Sequence, residues 1–180
     1  MPENVRKKYY PGLRSLARKA IAFCNLFRFS FRKALLGFES ANIILPYLDK
    51  ESTSLIIRRY GAKIGASSVI ESGQVFHNCR DYSNLEIGSN CSIGKNCFFD
   101  LREKVTIGNN VVISMKCTLI THTDMGRSQL SEKYPPHSAP VIINDNCYLG
   151  ACVTVLMGVE IGEKTIIAAS SLLNKSIGPL

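Results

Sequence analysis

The chain has 180 residues, 46% of them hydrophobic, and a formal net charge of +8 at pH 7. That length supports one principal core with a small appendage, and no apolar run reaches the roughly 18 to 20 residues that cross a bilayer as a helix. The excess charge is local, because residues 1–60 hold 12 Lys and Arg against four acids, whereas residues 61–180 carry ten of each sign. Seven cysteines without a CxxC pair argue against a disulfide framework and a zinc ribbon. The basic start lacks the long apolar region of a secretory leader, so a cytoplasmic protein is expected.

Residues 1–60 read as a basic, helical N-terminal region. Leu13, Leu16, Ala17, Ala20, Cys24, Phe27, Phe31, Leu35 and Phe38 recur at three- and four-residue steps, with Arg14, Arg18, Arg28 and Arg32 off that face. This is the pattern of one or two amphipathic helices. Two roles stay open for it: contact with an anionic membrane surface, which would set the protein at the inner face of the membrane, or packing on the rest of the chain or on a neighbouring subunit. Nucleic-acid binding is not expected, since neither a stacking-aromatic motif nor a reading helix accompanies the charge.

From residue 61 the period changes to six. Aliphatic or aromatic anchors fall at Ile64 and Ile70, at Ile87, Ile93 and Phe99, at Ile107, Ile113 and Leu119, and without interruption from Ile143 through Leu149, Val155, Ile161 and Ile167 to Leu173. Six fits neither a helix nor an alternating strand; it fits a coil with three short flat sides, each contributing one large inward residue. Cys91, Cys97, Cys117 and Cys147 fall four places after an anchor, a small buried position that gives them a packing role. Gly follows the anchor at residues 65, 88, 94, 108, 150 and 162. There it is expected to supply the positive φ of a tight corner, as Asn109-Asn110 is expected to do elsewhere.

The repeat breaks once at length. Leu119 and Ile143 are 24 residues apart, so about 18 residues, spanning 121–140, are inserted before the phase is recovered. A long irregular segment on a rigid repeat scaffold is usually functional, and this one holds His122 and His137.

The run IINDNCYLGACVTVLMGVEIGEKTIIAASSLLNKSI, residues 142–177, resembles the hexapeptide-repeat acyltransferases, and the likeness extends over roughly residues 61–178. It implies a mainly β fold, a left-handed parallel β-helix, assembled as a homotrimer, with residues 61–180 as the catalytic domain. The implied activity is transfer of an acetyl group from acetyl-CoA, as co-substrate, to a hydroxyl of a sugar or glycan in a surface polysaccharide or its precursor. Neither a metal nor a covalent enzyme intermediate enters that chemistry. By the same resemblance His122 is the general base, a role open to a neutral imidazole of pKa near ~6.5 at cellular pH.

Asp124 is expected either to orient that ring or to polarise the acceptor, with an exposed loop carboxylate as the alternative. Asp100 is expected to contact the acceptor or to serve the turn. The resemblance assigns Ala151 and Ala169 to the pantetheine arm of CoA, and Asn174 and Lys175 to its nucleotide. The chain departs from relatives in carrying Gly94 and Arg102 where an Asn and an Asp hold the acceptor. It also has His122 nearer its anchor, Ala168-Ala169 in place of Gly-Ala, and no C-terminal Gly-Asn-Pro-Ala motif before Leu180. An antibiotic O-acetyltransferase, an amino-sugar N-acyltransferase and a non-catalytic scaffold remain alternatives. A zinc enzyme of the carbonic anhydrase type is disfavoured, because the intervals among His77, His122 and His137 do not match its ligand set.

Overall fold

The computed structural model describes residues 11–179. Residues 1–10, which include Arg6, Lys7 and Lys8 of the basic region, lie outside it, as do Leu180 and the side chains of Pro11 and Leu13.

Three five-stranded parallel sheets form the sides of a triangular coil. Side A stacks Lys63–Ile64, Leu85–Ile87, Val105–Ile107, Val141–Ile143 and Glu160–Ile161. Side B stacks Val69–Ile70, Ser92–Ile93, Val112–Ile113, Tyr148–Leu149 and Ile166–Ile167. Side C stacks Val75–His77, Phe98–Asp100, Thr118–Leu119, Thr154–Val155 and Leu172–Leu173. The anchors pair in register from coil to coil, Ile70 with Ile93 with Ile113 with Leu149 with Ile167 on side B, and all but the half-buried Ile64 are buried. The six-residue period is therefore one inward side chain per side, stacked into columns. Cys91, Cys97, Cys117 and Cys147 are buried among them as expected.

The expected reason for the glycines is corrected. None of Gly65, Gly88, Gly94, Gly108, Gly150 or Gly162 has a positive φ; that conformation falls three residues after the anchor, for example at Asn90 (58°), Asn110 (56°) and Asn146 (60°). The glycines are instead sites of close approach. A Cβ on Gly88 would stand 2.5 Å from the carbonyl oxygen of Gly108 in the next coil, a separation no side chain tolerates. The asparagines carry the turns and link into a ladder, Asn90 Nδ2 donating to Asn110 Oδ1 at 2.9 Å and Asn110 Nδ2 to Asn146 Oδ1 at 3.2 Å.

Three helices close the first coil. Helix α1, Pro11–Leu36, ends at Gly37, whose φ of 85° turns the chain into α2, Phe38–Asn42. Helix α3, Lys50–Arg59, begins at the N-cap Asp49, which accepts from Ser52 N at 2.9 Å. Phe29 of α1 and Phe38 of α2 join Tyr60, Tyr82 and Phe76 in an aromatic cluster that continues the coil's core. Asn42 fixes α2 to the coil, donating to Phe76 O at 2.7 Å and accepting from Tyr82 Oη at 2.9 Å. Repeat proteins need such a cap, because an end coil otherwise exposes its inner column.

Candidate active site

The corners between sides A and B and between sides B and C are tight and uniform. At the corner between sides C and A the repeat is broken three times: five extra residues lie between Phe76 and Ile87, two between Phe99 and Ile107, and the long insertion between Leu119 and Ile143. These breaks stack on successive coils, and each delivers one residue to a common place: Asn78, Asp100 and His122.

Asp100 is the centre of the group. It ends its side C strand and is only 1% exposed. Its Oδ2 accepts from Thr121 N at 2.8 Å, from the Thr121 hydroxyl at 2.8 Å and from His122 Nδ1 at 2.5 Å. Its Oδ1 accepts from Asn78 Nδ2 at 3.3 Å and from Arg102 N at 3.4 Å. Burial presses the carboxyl upward, but the hydrogen bonds from His122 and Thr121 outweigh it and hold Asp100 below the usual carboxylate range. An ionised carboxylate only accepts, so the hydrogen of the neutral ring sits on Nδ1 and the lone pair on Nε2. Asn78 Nδ2 lies 3.2 Å from Nε2 and 3.5 Å from Nδ1. Being almost equidistant from the two nitrogens, it stands off the Nε2 lone-pair axis.

Thr121 locks the base of the insertion. Fully buried, its hydroxyl also accepts from Glu103 N at 3.1 Å, and its carbonyl accepts from Ala139 N at 2.9 Å. His122 and Thr123 then pair antiparallel with Ser138 and His137, so the two ends of the loop are clamped while Gln129–Glu132 forms a 3-10 turn farther out. Neither the clamp nor the roles of Thr121 and Asn78 were legible in the hexapeptide pattern. The signal for Asn78 is the shorter repeat break after Phe76.

Two expectations change. Asp100, buried and with both oxygens occupied, does not face an acceptor; it holds the ring. The orienting role expected for Asp124 is therefore filled by Asp100. Asp124 is an exposed loop carboxylate that accepts from Gly126 N at 2.9 Å and faces Arg102 at 3.9 Å. His137 is exposed across the clamp from Thr123, and His77 lies against the Phe98 ring. A cleft of about 490 Å³, lined among others by Asn42, Ile43, His77, Asn78, Arg80 and Arg102, opens beside the group.

The residues assigned to CoA fall at two corners. Ala151 and Ala169 occupy the corner between sides B and C in successive coils, and Ser170 N donates to Ala151 O at 2.8 Å. Asn174 and Lys175 leave side C at the corner that carries His122 two coils earlier, and both are exposed. Side C thus spans the distance between the two pairs. Burial and the neighbouring Asp81 carboxylate push the Cys79 thiol up to about 11, away from the reactive thiolate.

A family model described as "Hexapeptide repeat of succinyl-transferase" matches residues 85–115 and 140–174. The chain is 30% identical over 129 residues to the galactoside O-acetyltransferase of Escherichia coli K12, covering 72% of this chain and 62% of that one. It is also 30% identical over 125 residues to a protein of the same organism named for colanic acid biosynthesis, the acetyltransferase WcaF, covering 69% of this chain and 65% of the other. It thus spans under two thirds of either relative. Among solved structures it is similar to the hexapeptide-repeat acetyltransferase VCA0836 of Vibrio cholerae, with a TM-score of 0.64 at 21% identity over 91% of this chain and 82% of that one. The same protein complexed with acetyl coenzyme A gives 0.54 at 21% identity, covering 82% and 83%. These likenesses establish the fold as a left-handed parallel β-helix.

Proposed function

Because this chain carries the hexapeptide repeat and is 30% identical to two named acetyltransferases over about 70% of its length, we propose that it is an acetyl-CoA-dependent O-acetyltransferase acting on a sugar hydroxyl, with His122 as general base. The observation that carries the reading is the neutral ring held by Asp100 through Nδ1 at the one irregular corner of the coil, which leaves the basic lone pair on Nε2. His122 Nε2 takes the proton of the acceptor hydroxyl as the oxygen attacks the thioester carbonyl. The tetrahedral adduct then expels the CoA thiolate, and the imidazolium returns its proton to that sulfur. Asp100 stays ionised throughout; it fixes the tautomer and stabilises the imidazolium, the division of labour known for buried Asp–His pairs. A positioned base of this kind contributes about 10² to 10⁴ in rate.

Ala151 and Ala169 are proposed to let the pantetheine arm lie close to the wall, and Lys175, with Asn174 beside it, to offset nucleotide phosphate charge. The relatives' names, one for a galactoside and one for colanic acid, favour a glycan acceptor, and a homotrimer is proposed on the resemblance to hexapeptide-repeat acyltransferases alone. The test is calorimetric titration with acetyl-CoA, followed by thiol release in the presence of galactosides and bacterial oligosaccharides. Saturable binding weakened by Lys175→Ala, together with acceptor-dependent thiol release, is expected; no binding by the full chain would remove the donor from the mechanism.

A further inference from the structure

Helix α1 turns its apolar stripe to solvent and packs with its other side. The side that meets α2 and α3 is formed by Ala22, Leu26 and Phe29, with Asn25 donating to Ser52 Oγ at 2.9 Å and Lys33 over the Tyr60 ring. Of the stripe predicted from the sequence, Phe38 packs into the aromatic cluster, but on α1 Leu16 (66%), Phe27 (74%), Phe31 (58%) and Leu35 (65%) stay exposed, and Phe23 (66%) joins them. At 100° per residue these side chains cover about a third of the helix. Lys19 borders the stripe on one edge and Arg28 on the other.

From this we infer that α1 is an interfacial membrane anchor, lying flat on an anionic lipid surface with Phe23, Phe27 and Phe31 in the acyl boundary. Charge complementarity selects that occupant. Residues 4–38 hold nine Lys and Arg and no acid, the balance expected of a helix attracted to anionic headgroups. A second copy of α1 would bring like charge against like charge around the same stripe. Nucleic acid would match the charge but leave the phenylalanines without a partner. No helix among the described residues is long and apolar enough to cross a membrane, so the contact is peripheral. It also has a positional consequence: α2, which α1 contacts, ends at Asn42, which with the following Ile43 lines the cleft beside Asn78, bringing that cleft toward acceptors carried on lipid. The docking inference itself does not rest on the acetyltransferase reading.

Sedimentation of the full chain with vesicles tests it. Retention on phosphatidylglycerol–phosphatidylcholine vesicles is expected to exceed that on phosphatidylcholine alone by about tenfold or more. The double variant F27E/F31E is expected to lose at least ~100-fold of it, while Ile166→Glu, at an equally exposed coil position, changes nothing. Circular dichroism melts of both variants verify that they are folded, and analytical ultracentrifugation reads the assembly state. Equal retention on the two vesicle types, or unchanged retention of F27E/F31E, overturns the inference. So does dissociation of the assembly by F27E/F31E when the wild type ignores vesicles, which would assign the stripe to a second copy.

Discussion

Two kinds of corner divide the coil between them. At the A–B and B–C corners glycines let successive coils approach and a residue at positive φ turns the chain, often Asn; repetition there builds a ladder and little else. At the C–A corner the repeat is broken three times, and the breaks bring Asn78, Asp100 and His122 together. The lesson is physical. A corner held by inter-coil contacts on every turn cannot spare a side chain for chemistry, whereas an insertion clamped at its base is free to present one without loosening the columns behind it.

That contrast breaks most visibly through Asp100. The isosteric Asp100→Asn replaces an acceptor by an amide and favours the wrong tautomer of His122; a fall of about 10² to 10⁴ in kcat, with an altered pH profile, is expected in steady-state assays. An unchanged profile would reduce Asp100 to a turn residue. On the scaffold side, Ile113→Ala empties a buried position in the side B column and is expected to lower unfolding free energy by about 2–5 kcal/mol in urea titrations. Gly88→Ala, forced against the Gly108 carbonyl, is expected to lose about 1–3 kcal/mol by the same measurement; no loss would restore a purely conformational account of that glycine.

Acid sharpens the comparison further. Asp100 has its pKa depressed on folding, so its stabilisation is complete above the unfolded carboxylate pKa, about 3.9, and is lost as pH falls below that through the depressed value. The melting temperature should therefore drop over that acid range, and drop less in Asp100→Asn. The smallest effect belongs to the outer loop, where Leu130→Ala at an exposed position should change stability by no more than about 0.5 kcal/mol.

The coil was legible because one large side chain every six residues has few geometrical solutions, and the anchors from Ile64 to Leu173 pair in the register the sequence sets. The insertion carrying His122 was legible as a loss of phase. The function of Gly88 and its equivalents was not, because sequence shows that a side chain is missing and not which backbone occupies its place. Asp100 was found, but its task was not, since the sequence does not reveal that Thr121 and His122 both return to the same carboxylate oxygen. Helix α1 shows the same limit: three- and four-residue spacing identified residues sharing a face, while the opposite face, through Phe29 and Asn25, does the packing.

The most direct test of the C–A corner as the catalytic centre is acetyl transfer to a glycoside acceptor by His122→Ala and His137→Ala, measured side by side at equal thermal stability. The account predicts that the first variant loses about 10² to 10⁴ of the wild-type rate and that the second keeps it. Equal rates for wild type and His122→Ala would contradict it.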